Sequence, residues 1–320
     1  MEQVAVTTPI IKHRTFHHIV NAKVSSFVKK FNGNSMVIVE EKVDGSNFYF
    51  ASNGIDSICG RKHDILHESA KFYDFQKILH LKQNIIELHK KLNIRDAVIY
   101  LYGELIPTQK RITYVPDGEV RFIAFNLRIV PFHENDDDAG STVWLHKDQW
   151  EKEATECGFI VNPTIFKGTL QECLEFDVEN TKSVIPQLLN SNTTLVSIIE
   201  GVVIKGLGFT MKKKAHAFRE MESGGGIKFG KTKDPNETAV GELLGSMLTI
   251  SRLENIVSQI GDQMVPDAHR LSNTVVLDAI QEARDDDDCV IHLISKSKVS
   301  KIQKELAVVF MDQVKEHMGW

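Results

Sequence analysis

The chain has 320 residues, of which 42% are hydrophobic and 25% are charged, and its formal net charge is -5. This length allows one large domain or two ordinary domains with cores of their own. No apolar run approaches the roughly 18 residues that cross a bilayer, so we expect no association with membranes. Because the overall charge is negative, a nucleic-acid-binding surface is expected only as a local basic patch.

The N-terminal residues and the cysteines indicate the compartment. The chain start lacks the charged segment and long apolar run of a secretory signal. The four cysteines are scattered without a C-x-x-C pair, which argues against a zinc site or a disulfide framework. We therefore expect an intracellular protein in a reducing compartment, and we expect a monomer.

The first strong pattern is an apolar run, a polar loop and a second apolar run. The first run ends at Val39, Lys42 and Gly45 lie in the stretch that follows, and the second run starts at Phe48. This pattern predicts a strand, a tight exposed loop and another strand. The pair Asn53-Gly54 is favoured in two-residue hairpin turns, so the chain is expected to return there as a further strand.

Lys42 lies at the mouth of this loop, where a lysine has little packing to do. A neutral lysine amine is a nucleophile that forms covalent intermediates, and its attack on the α-phosphate of a nucleotide would release pyrophosphate. Gly45 has no Cβ, so a bulky ligand can approach the backbone there. The alternative is a surface lysine beside a turn, since K-x-D-G is frequent by chance.

The elements up to residue 234 include both strand and helix patterns, and we predict the α+β class for this part of the chain. Period-two patterns predict strands over residues 96–105, 119–130, 195–205 and 209–214. Helical spacing predicts helices over residues 68–92, 147–157 and 170–176.

The composition changes after residue 221. Residues 222–236 are rich in Gly and Lys and are predicted to form a linker. Beyond them the apolar period becomes helical, which predicts helices within residues 240–260, 271–284 and 296–317. We therefore predict an α+β domain over residues 1–234 and a helical domain over residues 235–320.

Two residues on the central strands suit a nucleotide. Glu104 ends an apolar strand on the same face as Tyr100 and Tyr102, and its carboxylate can accept hydrogen bonds from ribose hydroxyls. Phe125 can stack on a base. A glutamate on an edge strand and a phenylalanine of the core are the alternatives.

Charged residues further along suit phosphates. Glu200 precedes an apolar strand, and its carboxylate suits a hard cation such as Mg²⁺. Lys212 and Lys214 are two apart on one strand face, where they can neutralise a triphosphate and lower the pKa of Lys42. An exposed basic strand edge is the alternative. Arg61 closes the first hairpin and is either a phosphate ligand or a surface arginine.

The order of these blocks resembles that of the covalent nucleotidyltransferases, which include polynucleotide ligases and mRNA capping enzymes. Residues 41–48, E-K-V-D-G-S-N-F, resemble the E-K-x-x-G-[TS]-N-F motif of nick-sealing RNA ligases, found in phage enzymes and trypanosome RNA-editing ligases. Residues 212–218 resemble their closing K-x-K-x-x-x-F motif. Residues 240–243 and 251–261 resemble the helical C-terminal domain of the phage enzyme, where DNA ligases and capping enzymes carry a β-barrel.

The resemblance implies a nucleotidyltransferase domain of twisted antiparallel sheets flanked by helices, and a small all-helical RNA-binding domain. It implies that Lys42 takes AMP from ATP with the help of Mg²⁺, that AMP passes to an RNA 5′-phosphate, and that a 3′-hydroxyl displaces it. The expected substrate is a nicked or broken RNA duplex. The implied nucleotide-binding residues are Glu41, Asn47, Arg61, Glu104, Phe125, Lys205, Lys212 and Lys214, and the implied metal ligand is Glu200.

The sequence departs from this pattern at two positions and leaves alternatives. Asn126 stands where the family usually has an aspartate, and Asp44 replaces a histidine common in the phage branch. The basic block of Lys228, Lys231 and Lys233 is the substitute if the closing motif is misplaced. A second set, Lys298, Lys301 and Lys304, either contacts phosphates or forms a solvated helix face. The rival functions are another nucleotidyltransferase, of DNA ligase or capping type, and a catalytically silent RNA-binding homologue.

Overall fold

The structure is a computed structural model. It describes residues 10–16, 19–21, 36–62, 64–107, 112, 114–132, 142–189, 199–206, 208–215, 218, 226–230, 232–260, 265–284 and 289–320. These residues form two compact units. The first comprises the described parts of Met1–His17, Val43–Pro163 and Val184–Val196, and the second those of His18–Lys42, Thr164–Ser183 and Ser197–Trp320. Each unit combines one sheet with helices, so the predicted α+β class is confirmed.

The strands are β1 Val20–Asn21, β2 Met36–Glu41, β3 Ser46–Ser52, β4 Ser57–Arg61, β5 Ala97–Pro107, β6 Val120–Pro131, β7 Val143–Leu145, β8 Ile160–Val161, β9 Thr164–Thr169, β10 Gly201–Gly206 and β11 Phe209–Lys214. The α-helices are α1 Leu81–Lys91, α2 Glu151–Glu156, α3 Leu170–Glu175, α4 Ile185–Leu188, α5 Pro235–Met247, α6 Ile250–Ile260, α7 Ala268–Arg284 and α8 Lys296–Met318. Short 3₁₀ helices cover Phe75–Ile78, Lys147–Gln149 and Val290–Leu293.

The first unit is built on a sheet with the order β4-β3-β5-β6-β7, to which β8 adds as a parallel neighbour of β6. Its core face carries Phe48, Phe50 and Phe122, which pack with Ile85 and Leu88 of α1 in one buried cluster. The alternation of large apolar residues on β3 and β6 explains this face, because every second side chain points to the same side.

Two predictions for this unit need correction. The helix predicted over residues 68–92 begins only at Leu81, because Tyr73 and Asp74 adopt left-handed backbone conformations that a helix excludes. The hairpin after β3 is confirmed, but its turn spans residues 53–56 rather than two residues. Asn53 explains the longer turn, since its Oδ1 accepts hydrogen bonds from the N–H groups of Ile55 and Asp56.

The other face of this sheet carries an N-terminal segment that tyrosine hydroxyls hold in place. Tyr100 donates to the carbonyl oxygen of Lys12 at 2.8 Å, and Tyr102 donates to that of Arg14 at 3.0 Å. Burial raises the pKa of Tyr102 far above its ordinary value, so this hydroxyl stays protonated and keeps donating. The segment therefore lies against the sheet through backbone carbonyl groups, and the His13 ring adds a 2.9 Å contact between Nδ1 and Tyr49 Oη.

The second unit contains a sheet with the order β1-β11-β10-β2-β9, in which β1 pairs parallel to β11 and the other pairs are antiparallel. The strand predicted over residues 195–205 is described from Gly201, and residues 195–198 lie outside the described part. Because β11 lies between β1 and β10, its lysines do not form the exposed sheet edge considered above.

The C-terminal helices of the second unit share a core of aliphatic residues and Phe310. The helical apolar pattern over residues 240–260 forms two helices rather than one, α5 and α6. Thr249 lies between them, and its Oγ1 caps the start of α6 by accepting a hydrogen bond from Arg252 N. Ile227 is buried in this core, so the predicted linker is packed at that point. A separate domain over residues 235–320 stays a prediction. No helix among the described residues is both long and apolar enough to cross a membrane.

The helical core predicts a contrast between two adjacent positions of α8. Phe310 is completely buried, whereas Val309 is 52% exposed. We expect Phe310→Ala to lower the free energy of unfolding by about 3–5 kcal/mol, because it removes an aromatic ring and leaves a cavity. Val309→Ala is the matched control and should change it by less than about 0.5 kcal/mol. Denaturant unfolding monitored by circular dichroism measures both, and equal effects would contradict the described packing.

Candidate active site

Lys42 follows β2 directly and is bound to the start of β10. Its backbone N–H donates to the carbonyl oxygen of Gly201 at 2.9 Å, and its Nζ lies 2.6 Å from Glu200 Oε1. A Cβ at Gly201 would lie 2.3 Å from the carbonyl oxygen of Lys213, so glycine lets β11 pass this closely. The Lys42 and Glu200 side chains are 24% and 7% exposed. The predicted nucleophile and the predicted metal ligand are therefore in direct contact.

Three further lysines lie on one face of the second unit's sheet. Lys212 pairs with Val203, which in turn pairs with Glu40, so these side chains point to the same side. Lys205 and Lys214 are each two residues from this row and share its face. The predicted common face of Lys212 and Lys214 is thus confirmed. We call the set of Glu40, Lys205, Lys212 and Lys214 the lysine face.

Glu41 and Lys213 point to the opposite face. Ser183 Oγ donates to Glu41 Oε1 at 2.6 Å. Lys213 Nζ donates to the carbonyl oxygens of Leu174 and Phe176, at 3.0 and 2.8 Å, where α3 ends. Lys213 therefore attaches β11 to α3, and the structure separates Glu41 from the lysine face. The nucleotide-binding role of Glu41 stays a prediction.

Two lysines of this face pair with carboxylates. Lys205 Nζ lies 2.6 Å from Glu40 Oε2, and Lys214 Nζ lies 3.0 Å from Glu282 Oε1 on α7. Sequence reasoning missed Glu40, although the period of two along β2 places it on this face. It also missed Glu282, because no local pattern relates residues on β11 and α7.

Glu282 also binds a second cation. Arg252 of α6 reaches Glu282 Oε2 at 2.7 Å and Asp278 Oδ2 at 2.5 Å. Burial by itself raises the pKa of the Glu282 carboxyl, but Lys214 and Arg252 outweigh it and hold this pKa below its ordinary value. The end of β11 is therefore connected to two of the C-terminal helices by charge-assisted hydrogen bonds.

Lys212 forms no ion pair with any residue that the structure describes. Burial lowers the pKa of its ammonium group, Glu282 opposes this effect, and Lys214 and Lys42 add to it through like-charge repulsion. A buried cation in this condition gains stability from an added anion. The lysine face can thus accept a negatively charged group such as a phosphate.

In the first unit, the predicted ribose ligand Glu104 lies beside Asn47, another predicted nucleotide-binding residue. Asn47 and Glu104 pair directly between β3 and β5, on the side opposite to the core. A Cβ at Gly45 would lie 2.5 Å from Glu104 Cγ, so the glycine allows this loop to rest on the glutamate. Asn47 Oδ1 is buried and has no hydrogen-bond partner among the described residues. This oxygen can therefore accept a hydrogen bond from a ligand.

The loop after Lys42 is buried rather than exposed as predicted. Asp44 is 4% exposed, its Oδ2 accepts a hydrogen bond from Ile112 N at 3.1 Å, and its own N–H donates to Tyr114 Oη at 3.2 Å. These contacts explain the aspartate of K-x-D-G as a residue that fixes the loop. Sequence reasoning had no signal for the distant residues 112 and 114.

Arg61 is buried on the core side of the first unit's sheet, where it pairs with Phe48, so it does not share a face with Asn47 and Glu104. Its Nε lies 2.6 Å from Asp64 Oδ1, and its guanidinium carbon lies 5.0 Å from the centre of the Phe72 ring. The surface alternative is therefore wrong. Within the described part of the chain, Nη1 has no hydrogen-bond partner. The phosphate role of Arg61 stays a prediction.

Phe125 lies at a β-bulge. The pairing of β5 with β6 shifts so that Tyr102 opposes Asn126 and Gly103 opposes Ala124, which leaves Phe125 as the extra residue. Its ring is half-buried and meets the Phe16 ring edge-on, with centroids 5.1 Å apart. Phe125 is thus part of an aromatic cluster outside the main core, and its stacking on a base stays a prediction.

The other basic residues are placed as follows. Lys231 lies outside the described residues, and Lys228 and Lys233 are exposed. Lys298 Nζ lies 2.5 Å from Asp234 Oδ2 and 2.8 Å from Glu237 Oε1, so it binds the first turn of α5. Lys301 lies 3.9 Å from Glu305 on the same helix. Lys298 therefore has a structural contact, and a phosphate role for Lys301 and Lys304 stays a prediction.

The carboxylate of Glu200 is compatible with Mg²⁺ bound mainly through substrate phosphates. Within the described residues there is no cluster of three His, Cys, Asp or Glu side chains that could hold a metal ion. Glu200 offers a single carboxylate next to Lys42. Mg²⁺ is commonly bound by one or two carboxylates together with substrate phosphates and water, and Glu200 fits this mode.

Comparisons with known proteins identify the family. The model of the RNA ligase family matches residues 35–215, which include β2, β10, β11 and all ten predicted site residues. Because the match covers more than half of the chain, the protein belongs to the RNA ligase family. Mitochondrial RNA-editing ligase 1 of Trypanosoma brucei brucei is 26% identical over 181 residues, which cover 52% of this chain and 36% of the relative. The chain thus spans about a third of that protein.

Solved structures of another ligase also match. A lysine-to-alanine mutant of Naegleria gruberi RNA ligase with ATP and Mn has a TM-score of 0.48 and 17% identity, over 64% of this chain and 57% of that one. A lysine-to-methionine mutant of the same ligase with AMP and Mn has the same TM-score and identity.

The ion pairs of Glu282 predict a dependence of stability on pH. Its folded-state pKa lies below the unfolded value of about 4.3, so its contribution is present above that pH and is lost as the pH falls through the range below it. We expect Glu282→Gln to lower the free energy of unfolding at pH 7, and the difference from wild type to shrink below about pH 4.3. Urea unfolding between pH 3 and pH 7 measures this difference.

Glu305→Gln is the matched control, since Glu305 is 49% exposed and forms only a distant pair with Lys301. Surface pairs contribute little, so this variant should follow wild type at every pH. A difference between wild type and Glu282→Gln that stays constant over the whole range would contradict the assigned pKa direction.

Proposed function

We propose that this protein is an ATP-dependent RNA ligase, which joins RNA 3′-hydroxyl and 5′-phosphate ends at nicks or breaks in duplex RNA. The proposal rests on one observation above all, the 2.6 Å contact between Lys42 Nζ and Glu200 Oε1 beside a face of three lysines. Membership of the RNA ligase family supports the reaction class.

In the first step, the neutral amine of Lys42 attacks the α-phosphorus of ATP. A P–N bond forms, the P–O bond to the leaving group breaks, and pyrophosphate departs. Glu200 accepts the proton that Nζ loses as the P–N bond forms, because its carboxylate oxygen is already within hydrogen-bond distance of Nζ. The products are lysyl-AMP and pyrophosphate.

The lysine face supplies positive charge for this transfer. The proposal assigns Lys205, Lys212 and Lys214 to the phosphates, where fixed cations stabilise charge that develops during the reaction. Lys212 supports this assignment most strongly. Its ammonium group is buried without an ion pair among the described residues, so a bound anion would stabilise its charge. When bound, Mg²⁺ would offset further phosphate charge, with Glu200 as its protein ligand.

The other predicted site residues are assigned to the nucleotide as the family resemblance implies. We assign the ribose hydroxyls to the Glu104 carboxylate, the adenine ring to Phe125 and phosphate oxygens to Asn47 and Arg61. The buried Arg61 Nη1 is an N–H donor without a described hydrogen-bond partner, and it supports the assignment of Arg61. Glu41 is assigned a supporting role, consistent with its place next to Lys42 in the chain.

In the later steps AMP passes to RNA and leaves. The 5′-phosphate of one strand attacks lysyl-AMP, so that the P–N bond breaks and a phosphoanhydride forms. The neighbouring 3′-hydroxyl then attacks the 5′-phosphate, and AMP departs as the phosphodiester bond forms. We propose that the helices α5–α8 bind the RNA duplex, and that the protein acts as a monomer in a reducing intracellular compartment.

The nucleophile is tested by substitution. We expect Lys42→Ala and Lys42→Arg both to abolish transfer of label from α-labelled ATP to the protein, because arginine keeps its charge and cannot attack. The measurement is a labelled band after denaturing electrophoresis. Lys152→Ala is the matched control, since this lysine is 78% exposed, and it should label like wild type. Retained labelling of Lys42→Ala would exclude this lysine.

The same assay with other nucleotides separates the rival functions. We expect a labelled adduct from ATP and none from GTP or NAD. An adduct from GTP would indicate a capping-type enzyme, and one from NAD a different class of ligase. An absence of adduct with all three nucleotides would favour a catalytically silent RNA-binding homologue.

The substrate is tested with nicked duplexes that carry RNA or DNA on each side of the nick. We expect sealing when both strands that meet at the nick are RNA, and at least a tenfold lower rate when both are DNA. Gel separation of the sealed product measures the rates. Equal rates for the all-RNA and all-DNA nicks would contradict the proposed preference and favour a general polynucleotide ligase.

A further inference from the structure

The ion pair between Glu40 and Lys205 has an unusual position for a structural contact. Lys205 on β10 pairs in register with Ile38, two residues before Glu40 on β2, so the two charged side chains are diagonal neighbours on one face. Their charged atoms lie 2.6 Å apart. The rest of both strands is largely aliphatic, and the neighbours of the pair on the same face, Ile38 and Val203, are buried aliphatic residues.

Such a pair is a costly way to stabilise a sheet. Removing two charges from water has a penalty that their attraction offsets only in part, and apolar residues of similar size often stabilise as well or better. An aliphatic pair would match the other residues of β2 and β10. Stability alone therefore does not account for a carboxylate and an ammonium group at these two positions.

The exposure of the two side chains points to that reason. The Glu40 side chain is 1% exposed, whereas that of Lys205 is 13% exposed. The Glu40 carboxylate is thus the more deeply buried partner, and it binds the Lys205 ammonium group on the side that faces the protein interior. Lysine has a long, flexible stem with many rotamers, and a fixed buried partner restricts this freedom before any ligand arrives.

We propose that Glu40 is a positioning residue of the adenylyl-transfer site, which holds the Lys205 ammonium group in place for a phosphate of the nucleotide or of the RNA end. The inference rests on the proposed function and adds to it a residue that acts through Lys205 rather than on the substrate. Glu40 lies two residues before Lys42, so the same end of β2 carries the nucleophile and the support of a neighbouring cation.

The experiment compares the rates of adduct formation from α-labelled ATP, and of sealing of a nicked RNA duplex, among the full-length wild type, Glu40→Gln, Glu40→Asp, Lys205→Met and the double variant Glu40→Gln with Lys205→Met. Glu40→Gln removes the charge and keeps the shape. Glu40→Asp keeps the charge and withdraws it from Lys205. We expect Glu40→Gln and Glu40→Asp each to slow adduct formation or sealing by about 10- to 100-fold, as displacement of a catalytic group by about 1 Å does.

The double variant distinguishes positioning from a merely structural role. If Glu40 acts through Lys205, the double variant should be no slower than Lys205→Met alone, because no ammonium group remains to be held. The proposal would be overturned if the rate losses of Glu40→Gln and Lys205→Met multiply in the double variant. It would also be overturned if either single variant is as fast as wild type. Glu156→Gln is the matched control, since it removes a carboxylate from an exposed pair with Lys91.

Thermal unfolding of each variant checks the fold. If Glu40→Gln does not fold, Glu40→Asp carries the test, and wild-type rates in that variant would overturn the proposal. A wild-type protein that forms no adduct would remove the proposed function itself. A wild-type protein that forms the adduct, with unchanged rates in both Glu40 variants, would remove only the role of Glu40.

Discussion

The contact between Lys42 and Glu200 is the constraint on which the rest of the site depends. The backbone bond from Lys42 N to Gly201 O fixes the end of β2 against the start of β10, and the side-chain contact follows from that register. Around it, the lysine face concentrates cations in a partly buried place. Carboxylates neutralise Lys205 and Lys214, whereas the described residues give Lys212 no ion pair. An anion with several charges would complete this arrangement, and a nucleotide triphosphate is such an anion.

Much of this arrangement could be predicted from the sequence, because it depends on local periodicity. The alternation along β5 placed Tyr100, Tyr102 and Glu104 on one face, and the K-x-K spacing placed Lys212 and Lys214 on one face of β11. The apolar runs predicted the strands, and the helical period after residue 236 predicted the C-terminal helices. Motif order gave the family, which the match over residues 35–215 confirms.

The rest could not be predicted, because it depends on contacts between distant segments or on backbone conformations without a clear pattern. Glu282 of α7 binds both Lys214 and Arg252 of α6, and no spacing in the sequence relates these two helices to β11. The left-handed Tyr73 and Asp74 ended a helix that apolar spacing alone had extended. The bulge at Phe125 changed the surroundings of a residue that alternation treats as regular. In each case tertiary structure decided what local propensity left open.

The central claim is that the amine of Lys42, and not that of another lysine nearby, forms the bond to AMP. The most direct measurement is mass spectrometry of peptides from the wild-type protein after incubation with ATP and a divalent cation, under conditions that preserve the P–N bond. We expect the added mass of AMP on the peptide that contains Lys42 and on no peptide that contains another lysine. Modification of Lys205, Lys212 or Lys214 in its place would contradict it.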